Sequence, residues 1–143
     1  PVEPKICGDE FLTRLSDEDN MILTPDIGGS TLEAQKSIGQ FVSQRLEDYW
    51  FKGSTMLSVD LPQITLSDIR SNFRIAHLHA NLPGVLAKVN HVLGEENINI
   101  AAQALGTEGE IGYVGTDVAQ RPSQKALDEL AAIEGTIRMR VIS

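Results

Sequence analysis

The fold is decided by the stretch FRIAHLHANLPGVLAKVNHVLGEENINIAAQAL, residues 73–105. Residues 73–80 alternate as a strand does, and Pro83 then opens a helix whose apolar residues recur at helical spacing. Asn97 lies where a helix commonly ends in a left-handed residue, and residues 98–105 form the next strand. The stretch therefore predicts a β-α-β unit.

The residues after 105 predict a further strand, helix and strand. A strand at 111–118 is joined to the preceding one by a hairpin across Thr107-Glu108-Gly109-Glu110. A second amphipathic helix covers 123–133, and Gly135 separates it from a last strand at 136–142. The order β-α-β-β-α-β predicts an α+β, ferredoxin-like fold, with the second and fourth strands at the edges of the sheet.

One clear helix precedes this unit, after a short strand at 21–24. Ser30 and Glu33 form a capping-box pattern at the start of the helix, and Gly53 is a typical C-terminal stop. Its apolar stripe predicts packing on a partner chain or on the downstream sheet; the stripe consists of Ala34, Ile38, Phe41, Val42, Leu46 and Tyr49. We therefore divide the chain into a strand, loop and helix arm at 1–55, a linker at 56–71 and a ferredoxin-like domain at 72–143.

Composition excludes several classes of partner. The chain has 143 residues, 20 acidic and 12 basic side chains, and a formal net charge of −8. Nucleic acid and anionic membrane surfaces are not expected partners, because both are bound by clustered Lys and Arg. No apolar run reaches the roughly 18 residues of a membrane span. With Cys7 as the only cysteine and no visible signal peptide, we expect a cytoplasmic protein without an internal disulfide.

Two histidines lie on the first strand of the β-α-β unit. His77 and His79 are two residues apart, so both side chains face the same side of the sheet. A metal site needs one or two further ligands, and the sequence offers none at a suitable spacing, so we expect no metal. The alternative is that one histidine packs in the core and the other lines a pocket.

The residues after this strand lead to a helix N-terminus. Asn81 and the turn Pro83-Gly84-Val85 lie where unpaired helix N–H groups can hold a carboxylate. The Asn81 side chain offers both a donor and an acceptor, which suits a ligand with an amine and a carboxylate. A second interpretation, that Asn81 simply caps the helix, stays open on the sequence alone.

The predicted strand at 98–105 carries no charge and lies at an edge of the sheet. An uncharged edge strand is available to pair with another chain. Asn99 lies at its start, where Asn is unfavourable in a half-buried position. We therefore expect a homodimer joined through strand 98–105, with Asn99 at the seam.

Two further candidates lie in the arm. Glu3 and Asp26 could form a catalytic acid and base pair. The alternative is that they are simply solvated, as charged residues near turns usually are. The stretch Ile27-Gly28-Gly29-Ser30-Thr31 matches neither a phosphate loop nor a dinucleotide fingerprint, so we interpret it as a helix cap.

Several motifs together resemble the C-terminal portion of the D-3-phosphoglycerate dehydrogenase family, through essentially the whole chain. They are Pro1-Val2-Glu3-Pro4, Thr24-Pro25-x-Ile27-Gly28-Gly29-Ser30-Thr31, Glu33-Ala34-Gln35, Gly53-Ser54-Thr55, His77-x-His79-x-Asn81-x-Pro83-Gly84-Val85-Leu86, Asn99-Ile100-Ala101-Ala102-Gln103, Gly112-Tyr113-Val114 and Gly135-Thr136-Ile137-Arg138. The resemblance implies an ACT domain, a small regulatory module that binds amino acids, preceded by an arm from the catalytic region of a 2-hydroxyacid dehydrogenase.

The resemblance also implies a ligand and a site. In serine-inhibited bacterial members of the family, L-serine binds at the interface of two ACT domains and slows catalysis from a distance. The matching positions are His79 and Asn81 of one chain and Asn99 of its partner, beside the helix N-terminus at Pro83, Gly84 and Val85.

The catalytic machinery of that family is not matched. Its acid/base histidine corresponds to Asp26, beside the Glu that Glu3 matches, and an ionised Asp cannot donate a proton to a carbonyl oxygen. The nicotinamide-binding loop and the catalytic Arg lie upstream of the part that Pro1 matches. We therefore expect no cofactor in this chain, although the full-length family uses NAD, and no dehydrogenase activity from the chain alone.

The leading hypothesis is thus an L-serine-binding allosteric module of a serine-biosynthetic dehydrogenase. One alternative is half of a split NAD-dependent enzyme that is active only with a separate upstream chain. Another is a dimerisation module whose ligand site is vestigial.

Overall fold

The computed structural model describes residues 5–7, 10–12, 28–69 and 71–143, with the backbone alone at 5–7 and 10–12. The elements in chain order are β1 (Lys5–Cys7), β2 (Glu10–Leu12), α1 (Leu32–Glu47), β3 (Phe73–Ala80), α2 (Val85–Glu95), β4 (Ile100–Glu108), β5 (Ile111–Val118), α3 (Gln124–Ala131) and β6 (Thr136–Ile142). The strand predicted at 21–24, and the candidates Glu3 and Asp26, lie outside the described residues.

The chain divides into two compact units, residues 1–41 and 42–143. In the first unit, β1 and β2 pair in antiparallel fashion, with Lys5 opposite Leu12. The second unit contains the four-stranded sheet, α2 and α3. The sequence-based boundaries at 55 and 71 stay predictions.

The four-stranded sheet is antiparallel and has the order β4-β5-β3-β6. This confirms the ferredoxin-like arrangement, with the second and fourth strands of the unit, β4 and β6, at the edges. The hairpin between β4 and β5 is closed by a two-residue turn, because Glu108 pairs with Ile111. Gly109 adopts a φ of 55° there, which a residue without Cβ accommodates readily.

The start of β4 differs from the prediction. The strand begins at Ile100 rather than at residue 98, because the chain is still closing the end of α2. Asn97 is left-handed, with a φ of 52° as expected, and the Ile98 N–H donates to the carbonyl of Leu93 at 2.9 Å. At its other end β4 continues to Glu108, so the observed strand does carry one charge.

The helix starts are also adjusted. α2 begins at Val85, so Pro83 is not its first residue as predicted; Gly84, left-handed with a φ of 88°, occupies the N-cap. α3 begins at Gln124, one residue later than predicted, because Ser123 is its cap and accepts a hydrogen bond from the Ala126 N–H at 3.1 Å.

The two faces of the sheet are covered differently. α2 and α3 pack on one face around a buried cluster of Ile75, Val89, Leu93, Ile98, Val118 and Leu130. The opposite face carries a second cluster of Ile64, Leu66, Ala76, Tyr113 and Ile142. Two members of the second cluster come from residues 54–66, which we call the cover segment.

Two glycines allow the cover segment to lie directly on the strands. A Cβ at Gly106 would lie 2.5 Å from Cγ2 of Ile64, and one at Gly115 would lie 2.5 Å from Cδ1 of Leu66. Both distances are shorter than real Cβ contacts, so side chains at these positions would force Ile64 and Leu66 to shift. The segment that the sequence marked as linker therefore contributes to the core.

α1 has a different cap and a more exposed surface than predicted. Thr31, not Ser30, caps it, since the Thr31 hydroxyl accepts from the Ala34 N–H at 3.1 Å. A π-helical turn at Asp48–Lys52 prolongs it to Gly53, the predicted stop, which is left-handed at φ 72°. None of the α1 side chains is buried. Packing of the stripe on a partner chain or on the downstream sheet stays a prediction.

Candidate functional site

His77 and His79 lie on the helix side of β3 and are almost completely buried, with 1% and 3% of their surfaces exposed. Their ring centroids are 5.5 Å apart, which confirms that both face the same side of the sheet. Both rings are therefore packed among the described residues of the single chain.

Each ring makes one hydrogen bond, and the partner identifies the ring nitrogen that donates. The Thr136 hydroxyl donates to the carbonyl of Leu130 at 3.2 Å, so it accepts the bond from Nε2 of His77 at 2.8 Å. Nδ1 of His79 donates to the carbonyl of Ala80 at 2.8 Å, since a carbonyl only accepts. The remaining nitrogens, Nδ1 of His77 and Nε2 of His79, are buried and have no hydrogen-bond partner among the described residues.

The environment of His77 favours an uncharged imidazole. Burial, and to a smaller degree the neighbouring His79, lowers the pKa of His77 from 6.5 to about 4. A group that is taken out of water loses the solvation of its charged form, which explains the direction of the shift. At neutral pH His77 therefore acts as a hydrogen-bonding core residue and carries no charge.

Gly112 makes room for the ring of His79. The two residues are opposite each other in the β3–β5 ladder. A Cβ at Gly112 would lie 2.8 Å from Nε2 of His79, well inside normal contact distance. The missing side chain thus lets the imidazole lie flat against β5.

Asn81 holds the hairpin turn rather than the helix. Its N–H donates to the carbonyl of Glu110 at 2.8 Å, and its Nδ2 donates to the carbonyl of Gly109 at 3.1 Å. The capping interpretation is therefore wrong, because the N-cap is Gly84 and no side chain caps α2. Within the described residues Oδ1 of Asn81 accepts no hydrogen bond, and the side chain is exposed.

The structure brings most of the predicted site residues to one corner of the domain. His79 ends β3, Asn81 follows it at the β4–β5 turn, and Pro83, Gly84 and Val85 lead into α2. Asn99 is not at this corner: its carbonyl accepts from the Ala119 N–H at 3.1 Å, just beyond Val118. Gly112 marks the His79 end of β5 and Val118 the Asn99 end, so roughly 20 Å of strand separates the two.

Sequence reasoning did not single out a buried ion pair on the opposite face. Arg74 and Asp117 lie across from each other on β3 and β5, with Nε to Oδ1 at 2.5 Å and Nη2 to Oδ2 at 2.9 Å. Nη1 of Arg74 also donates to the carbonyls of Lys52 and Ser67, at 2.7 and 2.8 Å. A signal was present, since Arg74 is the only Arg, Lys, Asp or Glu of β3 and Asp117 is the only one of β5.

The face of the sheet that carries Arg74 and Asp117 also holds the π-helical turn that follows α1. The Tyr113 hydroxyl donates to the carbonyl of Gly53 at 2.7 Å, and Nη2 of Arg140 donates to the carbonyl of Tyr49. Burial raises the pKa of Tyr113, so this hydroxyl keeps its proton. Together with Arg74, these bonds attach residues 49–53 to the sheet.

Other candidate chemistry finds little support in the described ranges. No group of three or more His, Cys, Asp or Glu side chains in residues 28–69 and 71–143 is placed to hold a metal ion. No helix in the part of the chain that the structure describes is long and apolar enough to cross a membrane. The pair Glu3 and Asp26 lies outside the described residues and stays a prediction.

Comparison with known proteins identifies relatives of this chain. Residues 75–138 match the family model for an AHAS small subunit-like ACT domain. D-3-phosphoglycerate dehydrogenase from Haemophilus influenzae is 46% identical over 142 residues, which are 99% of this chain and 35% of that protein. The Escherichia coli K12 and Dictyostelium discoideum proteins of the same name are 42% and 37% identical over 99% of the chain.

The regulatory subunit of aspartate kinase from Thermus thermophilus is a structural neighbour. Its ligand-free crystal structure aligns with a TM-score of 0.44 and 22% identity, over 51% of each chain. The chain spans about a third of the length of its curated relatives, since it covers 35% of the Haemophilus and Escherichia proteins. The predicted resemblance is confirmed: the chain is related over nearly all of its length to the C-terminal part of D-3-phosphoglycerate dehydrogenases, and it contains an ACT-type domain.

Proposed function

We propose that this chain is an amino-acid-binding regulatory module whose ligand is L-serine. The ligand would bind where His79, Asn81 and the N-terminus of α2 in one chain meet Asn99 of a second chain. The observation that carries the proposal is the open corner at Asn81, where an unused amide oxygen lies beside a helix start that no side chain caps.

The chemistry of this corner suits a small zwitterion. The first N–H groups of α2 carry partial positive charge and favour a carboxylate. Oδ1 of Asn81 is an acceptor for an ammonium or a hydroxyl group, and Nε2 of His79 is a buried polar atom without a hydrogen-bond partner among the described residues. A ligand with a carboxylate at one end and donors at the other would match both sets.

A second copy would supply Asn99 through simple geometry. β4 is an edge strand, and antiparallel pairing of β4 with the β4 of a second copy reverses the direction of the partner. The Asn99 end of the partner then lies at the Glu108 end of β4. That end joins the Gly109-Glu110 turn, to which Asn81 is hydrogen-bonded. A two-fold dimer through β4 would thus complete two identical sites.

The relatives indicate what such a module would regulate. They are D-3-phosphoglycerate dehydrogenases, and the match covers only their C-terminal part. We propose that the module belongs to such an enzyme of serine biosynthesis, in which serine binding lowers the activity of the NAD-dependent part from a distance. The split-enzyme alternative requires Asp26 to replace a catalytic histidine.

Isothermal titration with L-serine tests the proposal. We expect saturable heat from the purified chain and none from Asn81→Ala or Asn99→Ala. Gln124→Ala, which removes an exposed amide on α3, should bind serine normally. 3-Hydroxypropanoate, which lacks the amine, should bind much more weakly than serine.

A mixing experiment tests whether the site is shared. In a two-fold dimer of one Asn81→Ala chain and one Asn99→Ala chain, one site has both asparagines and the other has neither. Random mixing of the two inactive variants should therefore restore about a quarter of the sites. No restored binding would refute a site shared between chains. No heat from the unaltered chain at millimolar serine would favour an assembly module with a vestigial site.

A further inference from the structure

The second edge of the sheet, β6, carries a row of arginines. Arg138 and Arg140 are two residues apart and lie opposite Leu78 and Ala76 of β3, so both face the same side as the cover segment. β6 has β3 on one side and no strand among the described residues on the other. Its outer backbone groups are therefore free to pair.

An open groove runs along these arginines. It has a volume of about 600 Å³ and is lined by Tyr49, Trp50, Phe51, Arg138, Arg140, Val141, Ile142 and Ser143. Trp50 and Phe51 are 66% and 63% exposed, unusually high for large aromatic side chains. The groove thus combines exposed aromatic surface with two guanidinium groups.

The two arginines differ in their existing partners. Arg140 is held in place: it donates to the carbonyl of Tyr49 and lies over the rings of Tyr49 and Trp50, at 4.5 and 5.8 Å from their centroids. Arg138 is exposed and makes no ion pair with any residue in 28–69 or 71–143. On a chain of net charge −8, an unpaired arginine beside a fixed one is a local positive site.

We propose that this groove binds an extended acidic segment of a partner protein, which adds to β6 as a further strand. Acidic side chains at alternate positions of the segment would face Arg138 and Arg140, where charged hydrogen bonds are strongest. The intervening positions would lie on the other face of β6, that of Met139 and Val141, and would therefore be apolar. The arginines exclude neutral and basic strands, which would leave them desolvated without a counter-charge.

A small free anion is a poorer match to the same features. It would use a guanidinium group but not the free strand edge. The length of β6, Thr136–Ile142, instead fits a segment of several residues in extended conformation. The alternation of charge and apolar surface across the strand has a period of two, which is the period of a paired strand.

Trp50 reports on the groove, because it is the only tryptophan of the chain. We would titrate the chain with a hexapeptide of alternating glutamate and valine and record the tryptophan emission. The expected result is a saturable change that weakens about tenfold in Arg138→Glu, as expected for the loss of one charged hydrogen bond. A hexapeptide of alternating lysine and valine should cause no saturable change.

Arg121→Glu is the matched control, since Arg121 is exposed outside the groove and the variant has the same net charge. It should bind the acidic peptide as the unaltered chain does. Equal weakening by the two variants would overturn the proposal, because binding would then follow net charge alone. If inorganic phosphate or free glutamate displaces the acidic peptide completely, the groove is a small-anion site and the strand proposal is wrong. If the glutamate and lysine peptides bind equally well, the proposed selection for acidic segments is refuted.

Discussion

The buried His77 should make the folded chain sensitive to mild acid. Its folded pKa, about 4, is below the ordinary value of 6.5 that it regains on unfolding. Between these values the unfolded chain takes up a proton that the folded chain does not, so stability falls as the pH falls through this window. Above about pH 7.5 both states are neutral and this dependence disappears.

The size of the effect follows from the two pKa values. Integrating the difference in proton uptake gives a loss of about 2 kcal/mol between pH 7.5 and 5.0, and of about 3 kcal/mol at pH 4. The structure supports a loss of this order, because the ring is 1% exposed and a second imidazole lies 5.5 Å away. For a domain of ordinary stability this is a substantial fraction of the total.

Urea denaturation followed by far-ultraviolet circular dichroism would measure it at pH 7.5 and 5.0. His77→Gln keeps an N–H for the hydroxyl of Thr136 but cannot titrate. The variant should lose about 2 kcal/mol less than the unaltered chain between the two pH values. His91→Gln, at an exposed position of α2, should lose as much as the unaltered chain. If His77→Gln loses stability as the unaltered chain does, the acid sensitivity does not come from His77.

Two further substitutions test the packing of the sheet, both by the free energy of unfolding at pH 7.5. Gly112→Ala should lower the free energy of unfolding by about 1–3 kcal/mol, because the new Cβ meets the buried ring of His79. The control Gly94→Ala, in open space on α2, should be neutral or stabilising. Equal effects of the two substitutions would mean that the ring moves aside freely. Asp117→Ala should cost about 3–5 kcal/mol, because it leaves the Arg74 guanidinium buried without a counter-charge. Asp128→Ala, at an exposed site on α3, should cost less than about 1 kcal/mol, and a similar cost at Asp117 would mean that Arg74 reaches solvent.

The sequence predicted the sheet better than its surroundings. β3, β5 and β6 have the predicted bounds because alternation of apolar residues is a local signal that ends at a turn residue. The cover segment escaped prediction because its contact with the sheet depends on Gly106 and Gly115, which lie far away in sequence. No local pattern in residues 54–66 shows that two later strands leave room for them.

The candidate site was predictable in part for the same reason. The positions of His79 and Asn81 follow from the end of β3, which local pattern fixes. The cap was mispredicted because Asn81 finds its partners at Gly109 and Glu110 on a hairpin that only the folded chain brings near. The partnerless nitrogens of His77 and His79 depend on ring orientation, which periodicity does not specify.

The cover segment determines which residues a gene fragment must encode if the module is to be fused to another protein. A gene fragment that begins at residue 72 would encode every strand and helix of the β-α-β-β-α-β pattern, yet it would leave Ala76, Tyr113 and Ile142 bare on one face. Such a fragment would have the topology of the module, but its exposed apolar surface would favour aggregation. A portable unit for fusion or recombination therefore has to contain the cover segment as well as residues 72–143.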